Sequence, residues 1–389
     1  MTRYSSSSAW KAFRSLAVVM VVALVATACA PAATPAPTAS ANVVQSVPAA
    51  LVAACKTEGM LTIIATPANW ANYGEIFTLF QATTGVKLNS LNENAGSKDE
   101  LAAIEANKSN KGPQAPDIVD VGYAYGKIGV DAGDYQAYKV TTWDKIPDPT
   151  LGLPSREPSG LWTAGYYGTM TFEVNTAVVK NPPATWQDLL KPEYKNQVAL
   201  AGPPTTSNQA IQSILAAALA NGGSLDNAQP GLDFFKKLND AGNFVPVVAK
   251  AGTIAQGATP IELAWDYNAF GDKDSLKGNP PISVIYPSPT IASMYVQAIS
   301  AYAPHLNCAK VWMEILHSDQ GQLAWLKGHA HSVQAADLDS RGVIPADVKA
   351  LIPTISASSA SPSQIDAATK LISGGWDTTV GVSVPTPAP

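Results

Sequence analysis

The chain has 389 residues, of which 46% are hydrophobic and 14% are charged, and its formal net charge at neutral pH is −5. This length and apolar content suffice for two domains with packed cores. Because the charge balance is mildly acidic and Lys and Arg do not cluster, the composition argues against nucleic acids and anionic membrane surfaces as partners.

The N-terminus has the pattern of a secretory signal. Three basic residues precede residues 16–28, which are uncharged, mostly apolar and followed by Cys29. This stretch is shorter than the roughly 20 residues of a membrane-spanning helix but matches the apolar core of a signal peptide. We therefore interpret residues 1–28 as a signal peptide that is removed on export.

Small residues directly before Cys29 resemble the lipobox of bacterial lipoproteins, in which the cysteine is acylated and becomes the mature N-terminus. The alternative is ordinary cleavage near Ala28, which leaves Cys29 as an unmodified thiol. With acylation, the lipid on Cys29 is the only expected membrane attachment. Residues 29–47, uncharged and rich in Ala and Pro, are expected to form an extended tether, and residues 382–389 a disordered tail.

The first part of the folded chain alternates helical and strand patterns. Helices are predicted over residues 48–58, 70–83 and 97–107, and strands over residues 60–66, 86–91 and 116–122. Ser97 and Glu100 have the spacing of a capping box at the start of the third helix. This βαβα order predicts a mostly parallel sheet.

A long β-rich run at residues 161–176 predicts a strand that crosses into a second unit of the same kind. That unit is predicted to contain helices over residues 186–190, 208–220 and 229–241, and strands over residues 197–201, 244–248 and 260–265. A strand at 282–286 and a β-rich run at 294–299 predict the return crossing. Helices at 307–317 and 319–327 then complete the first unit.

These patterns predict an α/β fold of two lobes, each a mixed, mostly parallel sheet flanked by helices, joined by two crossover segments. Residues 48–165 and 288–381 are assigned to lobe 1, and residues 166–287 to lobe 2. Two crossings between lobes make a hinge. Cys55 and Cys308 form an even pair in an oxidising compartment, which predicts a disulfide, although two buried free thiols are the alternative.

Two stretches resemble a known family. NPPATWQDLLKPEYK at residues 181–195 and NCAKVWMEILHSDQGQ at residues 307–322 are similar to segments of bacterial extracellular solute-binding proteins of ABC importers. The related members are binders of ferric iron, polyamines, thiamine and aminoethylphosphonate. The resemblance implies a type II periplasmic-binding fold, hinge closure on a small solute, a monomeric chain, and docking to ABC permease subunits.

Ligands of open α/β sheets lie beyond the carboxyl ends of the strands, which nominates particular loops. From lobe 1 these are Asn69 and Trp70 after the first strand, and Tyr123 after the third. From lobe 2, the hydroxyls and free N–H groups at residues 205–207 are candidates for an anion. We therefore nominate Thr205, Thr206 and Ser207, with a simple capped turn as the alternative reading.

Asp266 and Tyr267 end a predicted strand of lobe 2 and are nominated to bind a cationic group, unless Asp266 instead caps the next helix. Together the two patches favour a small polar solute, zwitterionic or anionic. Ferric iron is the rival ligand. The relatives that bind iron resemble one another in an adjacent tyrosine pair near this place, where this sequence has Asp266 and Tyr267. Because His329 and His331 are read as surface or capping residues, no metal site and no cofactor are expected.

An enzyme is not expected, because the sequence contains no nucleophile elbow, no zinc-protease motif and no phosphate-binding loop. A ligand-sensing co-receptor that uses the same clamp is a further alternative to an importer. A permease and an ATPase encoded beside the chain would distinguish these two functions.

Overall fold

A computed structural model describes residue 44 and residues 46–386 of the chain. The predicted signal peptide, Cys29 and most of the predicted tether lie outside the described residues, as do residues 387–389 of the predicted tail. Within the described part, no helix has both the length and the apolar composition needed to cross a bilayer.

The first sheet is built from strands early in the chain with helices packed on them. Its elements are α1 (Ala49–Glu58), β1 (Met60–Ile64), α2 (Tyr73–Thr84), β2 (Lys87–Leu91), α3 (Ser97–Ala106), β3 (Ile118–Gly122), α4 (Tyr123–Ala132) and β4 (Tyr135–Gln136). Apolar residues follow a helical period in α2, where Ile76, Leu79 and Phe80 are buried. By contrast, every residue of β3 is buried, as expected for a central strand.

The second group of elements follows one long strand. These are β5 (Thr163–Asn175), β6 (Val198–Leu200), α5 (Asn208–Ala220), α6 (Gln229–Asp240), α7 (Ala251–Ala255), β7 (Ile261–Trp265), α8 (Asp266–Leu276) and β8 (Ile282–Ile285). The chain then returns through β9 (Ala292–Ser300), α9 (Leu306–Leu316), α10 (Asp319–Lys327), β10 (His331–Ser332), α11 (Ala335–Ser340), α12 (Ala346–Lys349) and α13 (Pro362–Val380).

The strands are hydrogen-bonded in the order β2-β1-β3-β9-β5-β7-β6, with β4 on β9 and β8 and β10 on β5. The pairs β1–β2, β1–β3 and β6–β7 are parallel, and the others are antiparallel. The first part of β5 pairs with β9, whereas from Met170 onward β5 pairs with β7. The predicted α/β class is thus confirmed, and β5 forms the predicted connection between the two sheet regions.

Some elements differ from the predictions. The capping box is wrong by one residue: Asp99, not Glu100, accepts the N–H of Gly96 at 2.9 Å. Ser97 and Glu100 instead accept the N–H groups of Gly122 and Asp120 and so fix the end of β3. Residues 244–248 form one isolated bridge at Phe244 in place of a strand; Val245 donates its N–H to Val198, and the next backbone bond to β6 comes from Ala249, beyond the predicted strand.

The C-terminal helix α13 was not predicted, and it packs against helices of the second group. The Trp376 ring lies 5.4 Å from that of Phe235 on α6, and Asn239 donates a hydrogen bond to the carbonyl of Val380. The boundaries of the two lobes remain a prediction. Cys55 of α1 and Cys308 of α9 are joined by a disulfide, which links segments 253 residues apart.

Candidate functional site

Two adjoining cavities lie where the two sheet regions meet, and together we call them the cleft. The first cavity is about 60 Å³ and the second about 230 Å³. Both are lined by Trp70 after β1, by Glu93 after β2 and by Lys250 at the start of α7. The cleft therefore receives side chains from loops of both regions, at the carboxyl ends of strands.

The first cavity is bordered by the N-termini of two helices. Gly96 and Ser97 begin α3, and Ser207 and Asn208 begin α5. The first N–H groups of a helix have no partner within it, and the helix dipole places partial positive charge there. Lys250 adds a full positive charge on the same cavity. This end of the cleft is therefore suited to an anionic group.

The two helix starts touch each other across the cleft. The N–H of Lys98 lies 3.4 Å from the carbonyl oxygen of Thr206, and a Cβ on Gly96 would lie 2.6 Å from that oxygen. A residue without a side chain is therefore required at position 96 for this approach. On the other side, the buried amide of Asn208 makes no hydrogen bond of normal geometry, so the cavity offers an unused donor and acceptor.

Two carboxyl groups line the first cavity, and burial raises the pKa of both. Burial raises the pKa of Asp120 to about 6, against hydrogen bonds from Tyr166 and Gln297 that lower it. Burial, and then the charge of Asp120, raise the pKa of Glu100 well above its ordinary value. A protonated Glu100 repels an anion less than a carboxylate does and has a proton to donate.

Trp70 forms a wall between the cavities and the aromatic cluster beneath. Its indole N–H donates to the hydroxyl of Tyr166 at 2.6 Å, and its ring meets those of Tyr267 and Tyr295 edge-on, with centroids 5.3 and 5.5 Å apart. These contacts fix the ring at the edge of the cleft. A solute in the cleft therefore meets a rigid apolar face.

The second cavity also has acidic residues in its lining. Glu262 on β7 and Asp272 on α8 border it, together with Asn69 and Asn268. Asn268 donates to the side-chain oxygen of Gln209 at 2.9 Å, which ties α8 to the start of α5. Polar groups of both signs thus line the cleft: Lys250 borders both cavities, and the helix N-termini border the first.

The structure brings together only some of the nominated binding residues. Asn69, Trp70 and Ser207 line the cleft. Thr205 borders a separate groove beside α13. The remaining nominated residues, which line neither cavity, are Tyr123, Thr206, Asp266 and Tyr267.

The positions of these four have local causes. Tyr123 is the first residue of α4 and donates its hydroxyl to the carbonyl of Pro154 at 2.7 Å. Thr206 contributes its backbone oxygen to the contact with α3, while its hydroxyl is buried without a partner. Tyr267 is buried against Trp70.

Asp266 is the first residue of α8, after the N-cap residue Trp265, and neighbouring groups occupy both oxygens of its carboxylate. One oxygen accepts the N–H groups of Thr169 and Tyr267, each at 3.0 Å. The other accepts the Tyr286 hydroxyl at 3.2 Å and lies 3.0 Å from the Nε2 atom of His331. Asp266 therefore joins β5, α8 and β10, and is not directed at the cleft.

Sequence reasoning missed Glu93, Asn208 and Lys250. The rule that nominated strand-end loops would have pointed to Glu93, which follows β2 by two residues. Lys250 follows the segment at 244–248 that was predicted as a strand, so the same rule would have nominated Lys250. Asn208 was placed at the start of α5, but nothing in the sequence showed that its amide would be buried without partners.

Iron coordination is not supported by the tyrosines of the cleft. Among the described residues that line the two cavities, Tyr295 is the one tyrosine. Burial raises its pKa, which opposes the phenolate form. The adjacent residues Tyr166 and Tyr167 are engaged elsewhere: Tyr166 donates to Asp120, and Tyr167 stacks on His331.

The described residues form two α/β regions that share the long strand β5, with a polar cleft between them. Residues 114–351, more than half of the chain, match the family model described as bacterial extracellular solute-binding protein. The chain therefore belongs to this family, whose members are substrate-binding proteins of transporters and not enzymes. Among curated protein sequences, none is significantly similar to this chain.

Solved structures show the same fold. The periplasmic binding protein AfuA of Actinobacillus pleuropneumoniae, with fructose 6-phosphate bound, is 22% identical with a TM-score of 0.61, covering 83% of this chain and 99% of that one. A putative spermidine/putrescine ABC transporter protein of Listeria monocytogenes is 14% identical (TM-score 0.61; 82% and 99% covered). Iron-bound HitA of Pseudomonas aeruginosa is 16% identical (TM-score 0.58; 83% and 99% covered).

These relatives place the chain in the type II periplasmic-binding fold. Membership in the family implies a small-molecule ligand, permease partners and a location outside the cytoplasm. At these identities the likeness carries the fold alone and does not identify the solute.

Proposed function

We propose that the chain captures a small polar organic anion, with a phosphate or carboxylate group, in the cleft and delivers it to an ABC permease. The observation that carries this proposal is the first cavity, where the starts of α3 and α5 converge with Lys250. Two helix N-termini and one ammonium group provide N–H donors and positive charge for one anionic group. Burial raises the pKa of Glu100 there and favours its neutral form, so Glu100 repels the anion less than an ionised carboxylate would.

The body of the solute extends into the second cavity. A volume of about 230 Å³ accommodates a metabolite of modest size, below the roughly 300–1,000 Å³ common for larger ligands. Trp70 offers an apolar face, and Asn69, Asn268 and Glu93 offer hydrogen-bonding groups for hydroxyls or an amine. A zwitterion therefore fits with its anionic group in the first cavity and its amine near Glu93.

Closure of the two regions onto the solute accounts for capture. The N–H donors of α3 and α5 come from opposite sides of the cleft, so both reach one anionic group only when Gly96 approaches Thr206. Binding free energy is then available only in the closed form, which shifts the equilibrium toward it. The closed form is the state that a permease distinguishes from the empty one.

The proposal is tested by melting temperature and titration calorimetry with matched pairs of compounds. Fructose 6-phosphate is compared with fructose, and carboxylates with their amides, alongside putrescine and ferric chloride. We expect the organic anions to raise the melting temperature, and their neutral partners, the amine and the ferric salt not to do so. Stabilisation by putrescine or ferric chloride alone would overturn the choice of an organic anion.

Variants then locate the binding site. Lys250→Ala removes one charge-assisted hydrogen bond, worth about 1.5–3 kcal/mol, so the affinity for the anion should fall about 10–100-fold. The matched control is Lys237→Ala, an exposed lysine on α6 away from the cleft. Equal affinities of the Lys250 and Lys237 variants would contradict the placement of the anion.

We also propose that the chain functions as a monomeric lipoprotein held at the cell surface by the lipid on Cys29. The support is the apolar segment that ends in small residues before this cysteine. Partition of the expressed protein into a detergent phase, with loss of that partition in Cys29→Ser, is the expected result. A Cys29→Ser chain that stays with the membrane would contradict acylation.

A further inference from the structure

Three acidic side chains gather beside the second cavity, away from the N-termini of α3 and α5. Glu173, Glu262 and Asp272 each offer a carboxylate oxygen, and these oxygens all lie within 4.8 Å of one another. Glu173 on β5 and Glu262 on β7 are direct cross-strand partners, and Asp272 projects from α8. Like charges directly opposite each other on paired strands are destabilising, so this arrangement needs a compensating group.

The cluster is buried and its central member has no partner. Glu173, Glu262 and Asp272 are 0%, 5% and 8% exposed. Neither carboxylate oxygen of Glu173 makes a hydrogen bond, although both are inaccessible to solvent. A buried carboxyl group without a partner carries a large desolvation cost. Glu173 is thus an unsatisfied side chain aimed at the other two carboxyl groups.

Lys250 does not supply the compensating group that the three carboxyl groups need. Lys250 lowers the pKa of Glu262 and Asp272 through its charge alone, without a hydrogen bond, and does not act on Glu173. Burial dominates, raising the pKa of Glu262 to about 8 and that of Asp272 to about 6. The pKa of Glu173 is raised well above its ordinary value, first by burial and then by Glu262.

The geometry points to a divalent metal ion of the hard, oxygen-preferring class, such as Ca²⁺, Mg²⁺ or Mn²⁺, bound by Glu173, Glu262 and Asp272. Carboxylate oxygens are the ligands that these ions prefer. Three carboxylates, one divalent ion and Lys250 together carry no net charge. A divalent ion therefore balances the site better than a monovalent or trivalent one.

A bare ion also fits the access to the site better than an amine of the solute. Glu262 and Asp272 line the second cavity, but Glu173 does not. An ammonium group attached to a carbon chain would reach the first two carboxylates from the cavity, while its chain would hold it away from Glu173. A small ion meets all three carboxylates without opening the sheet.

The test uses the purified full chain, first treated with EDTA and dialysed, with no solute present. MnCl₂, CaCl₂ and MgCl₂ are titrated separately by calorimetry, and bound Mn²⁺ is counted by electron paramagnetic resonance. We expect saturable binding of one ion per chain. Protons should be released on binding at neutral pH, because the raised pKa values leave protons on the free cluster.

Glu173→Gln keeps the size of the side chain and removes its charge, so it should abolish binding or weaken it more than the 10–100-fold typical of losing an outer-shell partner. Asp272→Asn, at the cavity side, serves as a second variant in case Glu173→Gln does not fold. The matched control is Asp233→Asn on the exposed face of α6, which should bind as the unaltered chain does.

Two results would overturn the site: no binding of any of the three ions at millimolar concentration, or binding of equal strength in the Glu173 and Asp272 variants. Because no solute is present, these results are independent of whether an organic anion binds in the cleft. Conversely, an anion screen without a hit leaves the metal titration interpretable.

Discussion

The buried carboxyl cluster makes the stability of the metal-free protein fall as pH rises, and Glu262→Gln should remove much of this effect. In the folded chain burial raises the pKa of Glu262 to about 8, from an ordinary value of 4.5. Between these values the folded state holds a proton that the unfolded chain has released. More bound protons in the folded state mean that the free energy of unfolding decreases with increasing pH.

The effect of Glu262 on stability is best separated from that of other groups between pH 6.5 and 8. Asp120 and Asp272 have folded pKa values of about 6, so their changes are mostly complete below this window. His317, whose pKa burial lowers to about 3 from 6.5, contributes a change of opposite sign that also ends near pH 6.5. One extra proton in the folded state lowers the free energy of unfolding by about 1.4 kcal/mol per pH unit. Because Glu262 is half ionised at pH 8, it alone lowers this free energy by about 1.6 kcal/mol across the window, and Glu173 acts in the same direction.

The measurement is urea denaturation followed by circular dichroism in EDTA, at pH 6.5 and pH 8.0. The unaltered chain should lose at least about 2 kcal/mol between the two, whereas Glu262→Gln should lose clearly less and exceed the unaltered chain in stability at pH 8.0. Asp233→Asn serves as the control and should follow the unaltered chain. An identical loss in Glu262→Gln and the unaltered chain would refute the assignment of a raised pKa to this cluster.

Three further changes have defined outcomes. Trp70→Ala should destabilise the fold by about 3–5 kcal/mol, measured by urea denaturation, and weaken solute binding in calorimetry, while Trp70→Phe keeps most of the packing and loses about 1 kcal/mol. Replacing Cys55 and Cys308 together by Ala should cost about 2–5 kcal/mol of stability, because the bond closes a long loop; an unchanged melting temperature would contradict this. Asp266→Ala should cost about 3–5 kcal/mol with solute affinity retained, and a selective loss of affinity would return Asp266 to the binding site.

Much of the fold followed from local sequence patterns. The run at residues 161–176 is rich in β-branched and aromatic residues over more than ten positions, and it forms the single long strand β5. Helices with a clear apolar period, such as α5 and α6, lie within one residue of their predicted bounds. By contrast, α4 was missed, because its sequence contains two internal glycines and the helix begins directly after β3 without a turn signal.

The site was harder to predict because it depends on distances that local patterns do not contain. Asp266 follows a strand, as the rule requires, yet the chain enters α8 at that residue and turns its carboxylate toward Thr169 and His331. The pairing of Glu173 with Glu262 is set by the register of β5 on β7. Neither residue stands out in the sequence, since the register forms only when the sheet does.

The position of the anion is tested most directly by a crystal structure of the chain with the compound that raises its melting temperature most. We expect the anionic group between the starts of α3 and α5, within hydrogen-bonding distance of Ser207 or Asn208 and of the Lys250 ammonium group. Density for the anionic group at any other place, such as the groove between α4 and α13, would contradict the proposed mode of solute capture.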